Sequence, residues 1–193
     1  MRSHLRGELA ILGGFLAAAM VTIVLVLPPA DPLDARPTTT AWGPVTPADR
    51  DLLIKVRQAG LWEMPAGDYA QTRAASPRVK QVGKMIMMEH SRLDAMTRQV
   101  AGRLGVELPS TPNADQQRWL TQLVVESGPV FDRDYVNLLR NAHGKVFSLL
   151  AAVRAGTRNS QVRAFAQEGM AFVQRHMSYL ESTGLFEQDL SPR

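Results

Sequence analysis

The chain has 193 residues, 45% of them hydrophobic, enough to bury the core of one ordinary domain once an apolar N-terminal stretch is set aside, and too few for two. It contains no cysteine, which excludes disulfides, thiolate metal ligands, a cysteine nucleophile and lipoprotein-type acylation. The formal net charge of +4 comes from arginines scattered along the chain rather than from a basic run, so it reads as a solvated surface, and no nucleic-acid partner is expected.

Leu9 to Leu27 reads LAILGGFLAAAMVTIVLVL, uncharged, with Thr22 as its one polar side chain. As a helix this segment is long enough to cross about 30 Å of hydrocarbon. Arg2 and Arg6 precede it, while Asp31, Asp34 and only Arg36 follow closely. That asymmetry predicts a cytoplasmic N-terminus and an extracytoplasmic remainder. The exit Leu27, Pro28, Pro29, Ala30 is a poor small-x-small cleavage site. Residues 1–27 are therefore expected to be a retained, single-pass anchor in the cell membrane, the alternative being a cleaved signal and a secreted domain.

Residues 28–46 form the expected linker. The stretch up to Pro47 holds half the prolines of the chain and the run Thr38, Thr39, Thr40, a composition that predicts an extended spacer rather than a packed segment.

From residue 47 to 186 apolar residues recur at helical spacing and nowhere alternate as in a strand, so the domain reads all-α, a four-helix bundle. The first helix starts at Thr46 and Pro47, an N-cap followed by a first-turn proline, and carries Leu52, Val56, Ala59, Glu63, Ala66 and Ala70 on one seam. The second follows Ser76 and Pro77, with Val79, Val82, Ile86, His90, Leu93, Thr97, Val100 and Leu104, and stops at Gly105. A connector with Pro109 and Pro112 leads to a short helical piece around Ala114 to Glu126. The third long helix begins after Ser127, Gly128 and Pro129 and aligns Asp132, Val136, Leu139, His143, Val146, Leu150 and Val153. The fourth, capped near Asn159 or Ser160, aligns Val162, Phe165, Gly169, Phe172, His176, Tyr179 and Thr183 before Gly184. Residues 187–193 are a tail.

Each seam carries one polar intruder: Glu63, His90, His143 and His176. With antiparallel neighbours, counting from an end shared by the first-to-second and third-to-fourth connections puts the first three roughly 18 to 20 Å down and His176 about one turn deeper. Four lone-pair groups at similar depth in an apolar core must either bond one another or share a cation. Three imidazoles and a carboxylate suit one divalent ion, zinc, or iron or manganese with water in open positions; copper fits less well. The methionines Met64, Met85, Met87, Met88, Met96, Met170 and Met177 read as core fillers rather than copper ligands. Pro65 frees the carbonyl of Leu61 beside Glu63. Glu89 and Asp94 read as solvated charges, with an alternative as partners that orient His90. Glu168 is a weaker candidate ligand. Asp132, three turns from His143, lies too far for the same site; with Phe131 and Tyr135 it is expected to tie the far end of the bundle by hydrogen bonds.

The segments LWEMPAG at Glu63, KMIMMEH ending at His90, SGPVFDRDYV from Ser127, NAH at His143 and RH at His176 resemble, in order and spacing, a bacterial ferritin-like family known only as a domain of unknown function, many of whose members are called outer-membrane or secreted proteins. The resemblance covers roughly residues 47 to 184 and implies a ferritin-like antiparallel four-helix bundle and an exported location, with no established activity; the family pattern usually has Asp where this chain has Glu89. Ferritin-like di-iron sites use paired Glu-x-x-His motifs, and none occurs here, so a mononuclear site is expected. No phosphate loop, nucleotide fingerprint or Ser/His/Asp arrangement is present, which makes an enzyme the less favoured reading. Two functions follow: an extracytoplasmic module that binds or senses a single transition-metal ion, or a metal-free structural or interaction module of the cell envelope with an envelope protein as its partner.

Overall fold

The computed structural model describes residues 37–187. The anchor expected at 1–27 and most of the tail lie outside them, and among the described residues no helix is long and apolar enough to cross a membrane. The elements are β1 (Thr38–Thr40), β2 (Gly43–Val45), α1 (Pro47–Arg73), α2 (Pro77–Leu104), α3 (Ala114–Val125), α4 (Gly128–Gly156) and α5 (Ser160–Glu181).

The helix boundaries follow from local chemistry. Thr46 and Asp49 form a reciprocal capping box, with Pro47 in the first turn of α1. The Ser76 hydroxyl accepts from Val79 N at the start of α2, and Gly105, in the left-handed region at φ 65°, ends it. Asn113 and Gln116 form a second capping box at α3, and Asn159 Oδ1 accepts from Gln161 N and Val162 N at α5.

The long helices pair α1 with α2 and α4 with α5, and the pairs join through α1–α4 and α2–α5 contacts. The α1–α2 turn lies against the start of α4, where Ala75 N and Ser76 N donate to the Asp132 carboxylate at 3.1 and 2.8 Å. The α4–α5 turn lies at the opposite end, beside the start of α1. The two short turns therefore do not share an end, which corrects the depth count made from sequence. α2 and α4 run parallel, so residues 105–127 must traverse the length of the bundle, and α3 occupies that crossover, packed on α1 and α4. All four seam intruders sit 13 to 16 residues from the end formed by the start of α1, the ends of α2 and α4, and the start of α5, or roughly 20 to 24 Å along each helix.

That same end is covered by a hairpin, which corrects the expected spacer over its second half. β1 and β2 pair antiparallel with Thr38 opposite Val45. Val45 is fully buried in the core, Asn159 Nδ2 donates to Gly43 O at 3.0 Å and Thr40 Oγ1 at 3.2 Å, and Ser160 N donates to Trp42 O at 2.9 Å. Gly43 has φ 102°, and a Cβ there would lie 2.5 Å from Arg158 O, so this close approach requires glycine.

The core falls into two apolar clusters. One, toward the hairpin, contains Val56, Leu93, Leu150, Phe165 and Val173; the other contains Trp62, Ile86, Phe131, Leu139 and Leu180. Glu63, His90, His143 and His176 form the layer between them.

Candidate metal centre

Each group in this layer arrives by helical periodicity, one per long helix, and each is almost fully buried: Glu63 and His90 are 2% and 3% exposed, His143 3% and His176 0%. One ligand atom from each of the four lies within 4.8 Å of all the others. The expected seam registers are thus correct at every intruder. The backbones of α1 and α2 approach closely one turn from Glu63, where a Cβ on Gly67 would lie 2.7 Å from Gly83 O and one on Gly83 would lie 2.9 Å from Ala70 Cβ. This approach sets the α1–α2 spacing over which Glu63 and His90 meet.

His90 Nε2 donates to Glu63 Oε2 at 2.8 Å, and His143 Nε2 lies 3.4 Å from the same oxygen. His143 Nε2 also lies 3.0 Å from His176 Nδ1. The far nitrogen of His143, Nδ1, donates to Leu139 O at 2.8 Å, so on a neutral ring Nε2 carries a lone pair. On His176, Nε2 lies 3.3 Å from Glu89 Oε2 yet has no hydrogen-bond partner among the described residues.

Burial, followed by the Glu63 charge that opposes it, holds His143 below its ordinary imidazole pKa. His176 is pushed far below it, by burial first and then by the neighbouring imidazoles. Both rings are therefore neutral at pH 7. The Glu63 pKa is lowered: burial resists this, but the adjacent His143 and His90 side chains and the His90 hydrogen bond outweigh it.

Counting protons exposes a mismatch. Neutral His176 has one N–H and two acceptors facing it, His143 Nε2 and Glu89 Oε2. If Nδ1–H donates to His143, Nε2 and Glu89 Oε2 oppose each other as two acceptors; if Nε2–H turns to Glu89, Nδ1 and His143 Nε2 face each other as two lone pairs at 3.0 Å. His143 Nε2 meets Glu63 Oε2 at 3.4 Å as a further acceptor pair. A cation resolves every conflict at once. It would take the lone pairs of Glu63 Oε2, His90 Nε2, His143 Nε2 and His176 Nδ1, leaving His143 Nδ1–H on Leu139 O and His176 Nε2–H on Glu89. Ligand bonds of about 2.0 to 2.1 Å in a tetrahedron separate donor atoms by about 3.3 Å, close to the 2.8, 3.0 and 3.4 Å observed. The residues present therefore fit a metal ion.

The surrounding shell differs from the sequence expectation at several positions. Glu89 is not a solvated charge: besides facing His176 it accepts from Arg175 Nη2 at 2.9 Å and from the Tyr179 hydroxyl at 3.2 Å. Adjacent helical positions point about 100° apart, so Glu89 turns toward α5 while His90 turns to the core. Asp94 is buried, paired with Arg57 and, at 2.6 Å, with Arg98; Arg57 also donates to Pro109 O, so the pair fastens the crossover. Glu168 is exposed and is no ligand. Asp132 ties the far end as expected, whereas the Tyr135 hydroxyl is buried without a partner among the described residues. Burial, then the charge of Glu63, raises its pKa and keeps it protonated. Met85, Met96, Met170 and Met177 pack against the apolar clusters, as fillers do.

The chain matches the domain of unknown function DUF4142 over residues 34–182 and belongs to that family. No curated protein and no solved structure matches it.

Proposed function

We propose that this DUF4142 domain binds one divalent transition-metal ion, zinc, iron or manganese before copper, through Glu63, His90, His143 and His176, and serves as an extracytoplasmic metal-binding or metal-sensing module on a single-pass anchor at Leu9–Leu27. The observation that carries the reading is the proton mismatch in the buried layer, in which His176 Nε2 lacks a partner while four ligand atoms converge within 4.8 Å. A self-contained polar network would leave either that nitrogen or the His143–His176 contact without a shared proton, at a cost of about 1–3 kcal/mol. The single long crossover between α2 and α4 supports a ferritin-like ancestry for the bundle, and the arginines before the apolar segment support its orientation.

The test is elemental analysis of the full-length protein after metal loading and desalting. One ion per chain in the wild type, and none in His143→Ala, is the expected result. Metal-free wild type whose melting temperature is unmoved by added metal or chelator would leave the structural or interaction reading in its place.

A further inference from the structure

A cavity of about 10 Å³ lies against the polar layer on its hairpin side. Glu63, His90 and His143 form its floor, and Val56, Ala59, Leu93, Leu150, Gly169 and Val173 its walls. His176 does not line it. An ion held on the Glu63–His90–His143 face, with His176 behind it, turns its next coordination position into this space, which has room for about one water-sized body.

A second cavity, of about 290 Å³, opens to the surface between α1, α3 and α4 and is lined in part by Lys55, Gln58, Trp119, Lys145 and Leu149. Val146 lines both cavities. It is half-buried, and its side chain stands in the shared wall between the inner space and the outer groove.

We propose that the inner cavity is a binding site for a small neutral diatomic ligand, which coordinates the metal end-on, leaves its far atom among the apolar walls, and enters past Val146. The inference rests on the metal site proposed above. Size and polarity select this chemistry. An end-on diatomic places its donor atom at that coordination position, within bonding distance of the floor, and needs space for only one further atom beyond it. Beyond the ligand residues the walls offer no hydrogen-bonding side chain, so a bound water would find partners on the floor alone, whereas a diatomic needs none on its far side. A larger anion would carry charge into an apolar space at a desolvation cost. A molecule such as nitric oxide, carbon monoxide or dioxygen needs neither partner nor charge compensation, and its coordination is reversible and breaks no bond.

The test uses full-length protein loaded anaerobically with Fe(II), its iron content measured, and then exposed to nitric oxide under electron paramagnetic resonance. The wild type should give a high-spin iron-nitrosyl signal in proportion to its iron. Ala59→Val, which fills the cavity without removing a ligand, should keep iron and lose the signal. Val146→Trp, at the half-exposed wall, should keep iron and slow the appearance of the signal in stopped flow, which preserves the test if Ala59→Val does not fold. Iron retained without a nitrosyl signal, or a signal indifferent to both substitutions, overturns the diatomic site and leaves the metal site standing. Failure to retain iron overturns the diatomic site, and elemental analysis with zinc and manganese then decides whether the metal site falls with it.

Discussion

His176 Nδ1 lies 3.0 Å from His143 Nε2 in the middle of the bundle, and the opposite nitrogen of His143 is committed to Leu139 O. The commitment leaves His143 Nε2 to accept a proton from His176 or to donate its lone pair to an ion. Replacing His143 by Ala removes both options. Zinc at about a hundred times its dissociation constant should stabilise the wild type by about 2.7 kcal/mol; the same addition should leave His143→Ala unmoved in a denaturant titration.

Among the described residues Glu89 is the one carboxylate outside the cluster that faces a ring nitrogen, at 3.3 Å from His176 Nε2, and Arg175 and Tyr179 hold it there. Outer partners of this kind fix the tautomer of a ligating histidine and raise its basicity. Glu89→Gln should weaken metal affinity by about 10- to 100-fold while the metal-free fold persists. Glu89→Asp, which keeps the charge, should recover part of the affinity. Isothermal titration of the three proteins reads both effects, and equal affinities would remove Glu89 from the site.

The neutral state of His143 and His176 makes the metal-free protein acid-sensitive. Their folded pKa values are depressed, so the unfolded chain binds more protons once the pH falls below about 6.5. The stability they contribute is present above that pH and declines below it, by on the order of 1 kcal/mol per pH unit for each histidine. Glu63, also depressed, adds a loss of the same sign at more acidic pH, below the ordinary carboxylate range. Urea midpoints between pH 7.5 and 5 should fall for the wild type and fall less for His143→Gln.

Gly67 and Gly83 permit the closest approach of α1 and α2. A Cβ at Gly67 meets backbone, Gly83 O at 2.7 Å, which cannot swing aside as a side chain can. Gly67→Ala should therefore destabilise by about 1–3 kcal/mol and loosen the Glu63–His90 contact one turn away. At Gly169 an added Cβ meets only the flexible end of Leu150, at 2.9 Å, so Gly169→Ala should cost less. Thermal melts of the two variants make the comparison.

The hairpin is fastened chiefly through Asn159, whose amide nitrogen reaches Thr40 and Gly43 while its oxygen caps α5. Asn159→Ala removes cap and clasp together, so its cost should exceed the roughly 1 kcal/mol of an ordinary cap. Asn159→Asp keeps the cap alone and should lie between the two. Amide exchange of Ser160, whose N–H bonds Trp42 O, should quicken in both if the hairpin detaches.

The helices and the residues of the candidate site were legible from local chemistry along the chain. Caps such as Thr46, Ser76 and Asn159 act within a few residues, and the three-and-four spacing of apolar side chains forces Glu63, His90, His143 and His176 onto buried faces whatever the helices pack against. Tertiary structure decided what periodicity does not encode. The parallel course of α2 and α4 depends on where the crossover leads; the erroneous shared end still placed the site near mid-bundle because the groups lie close to the middle of α1, α2 and α4. The hairpin at 38–45 was hidden because its threonines, glycine and proline gain their order from Asn159 and Ser160, more than a hundred residues away. Glu89 escaped for the same reason: its neighbour in sequence is His90, but the nitrogen it faces belongs to His176, and only the packing of α2 on α5 brings the two together.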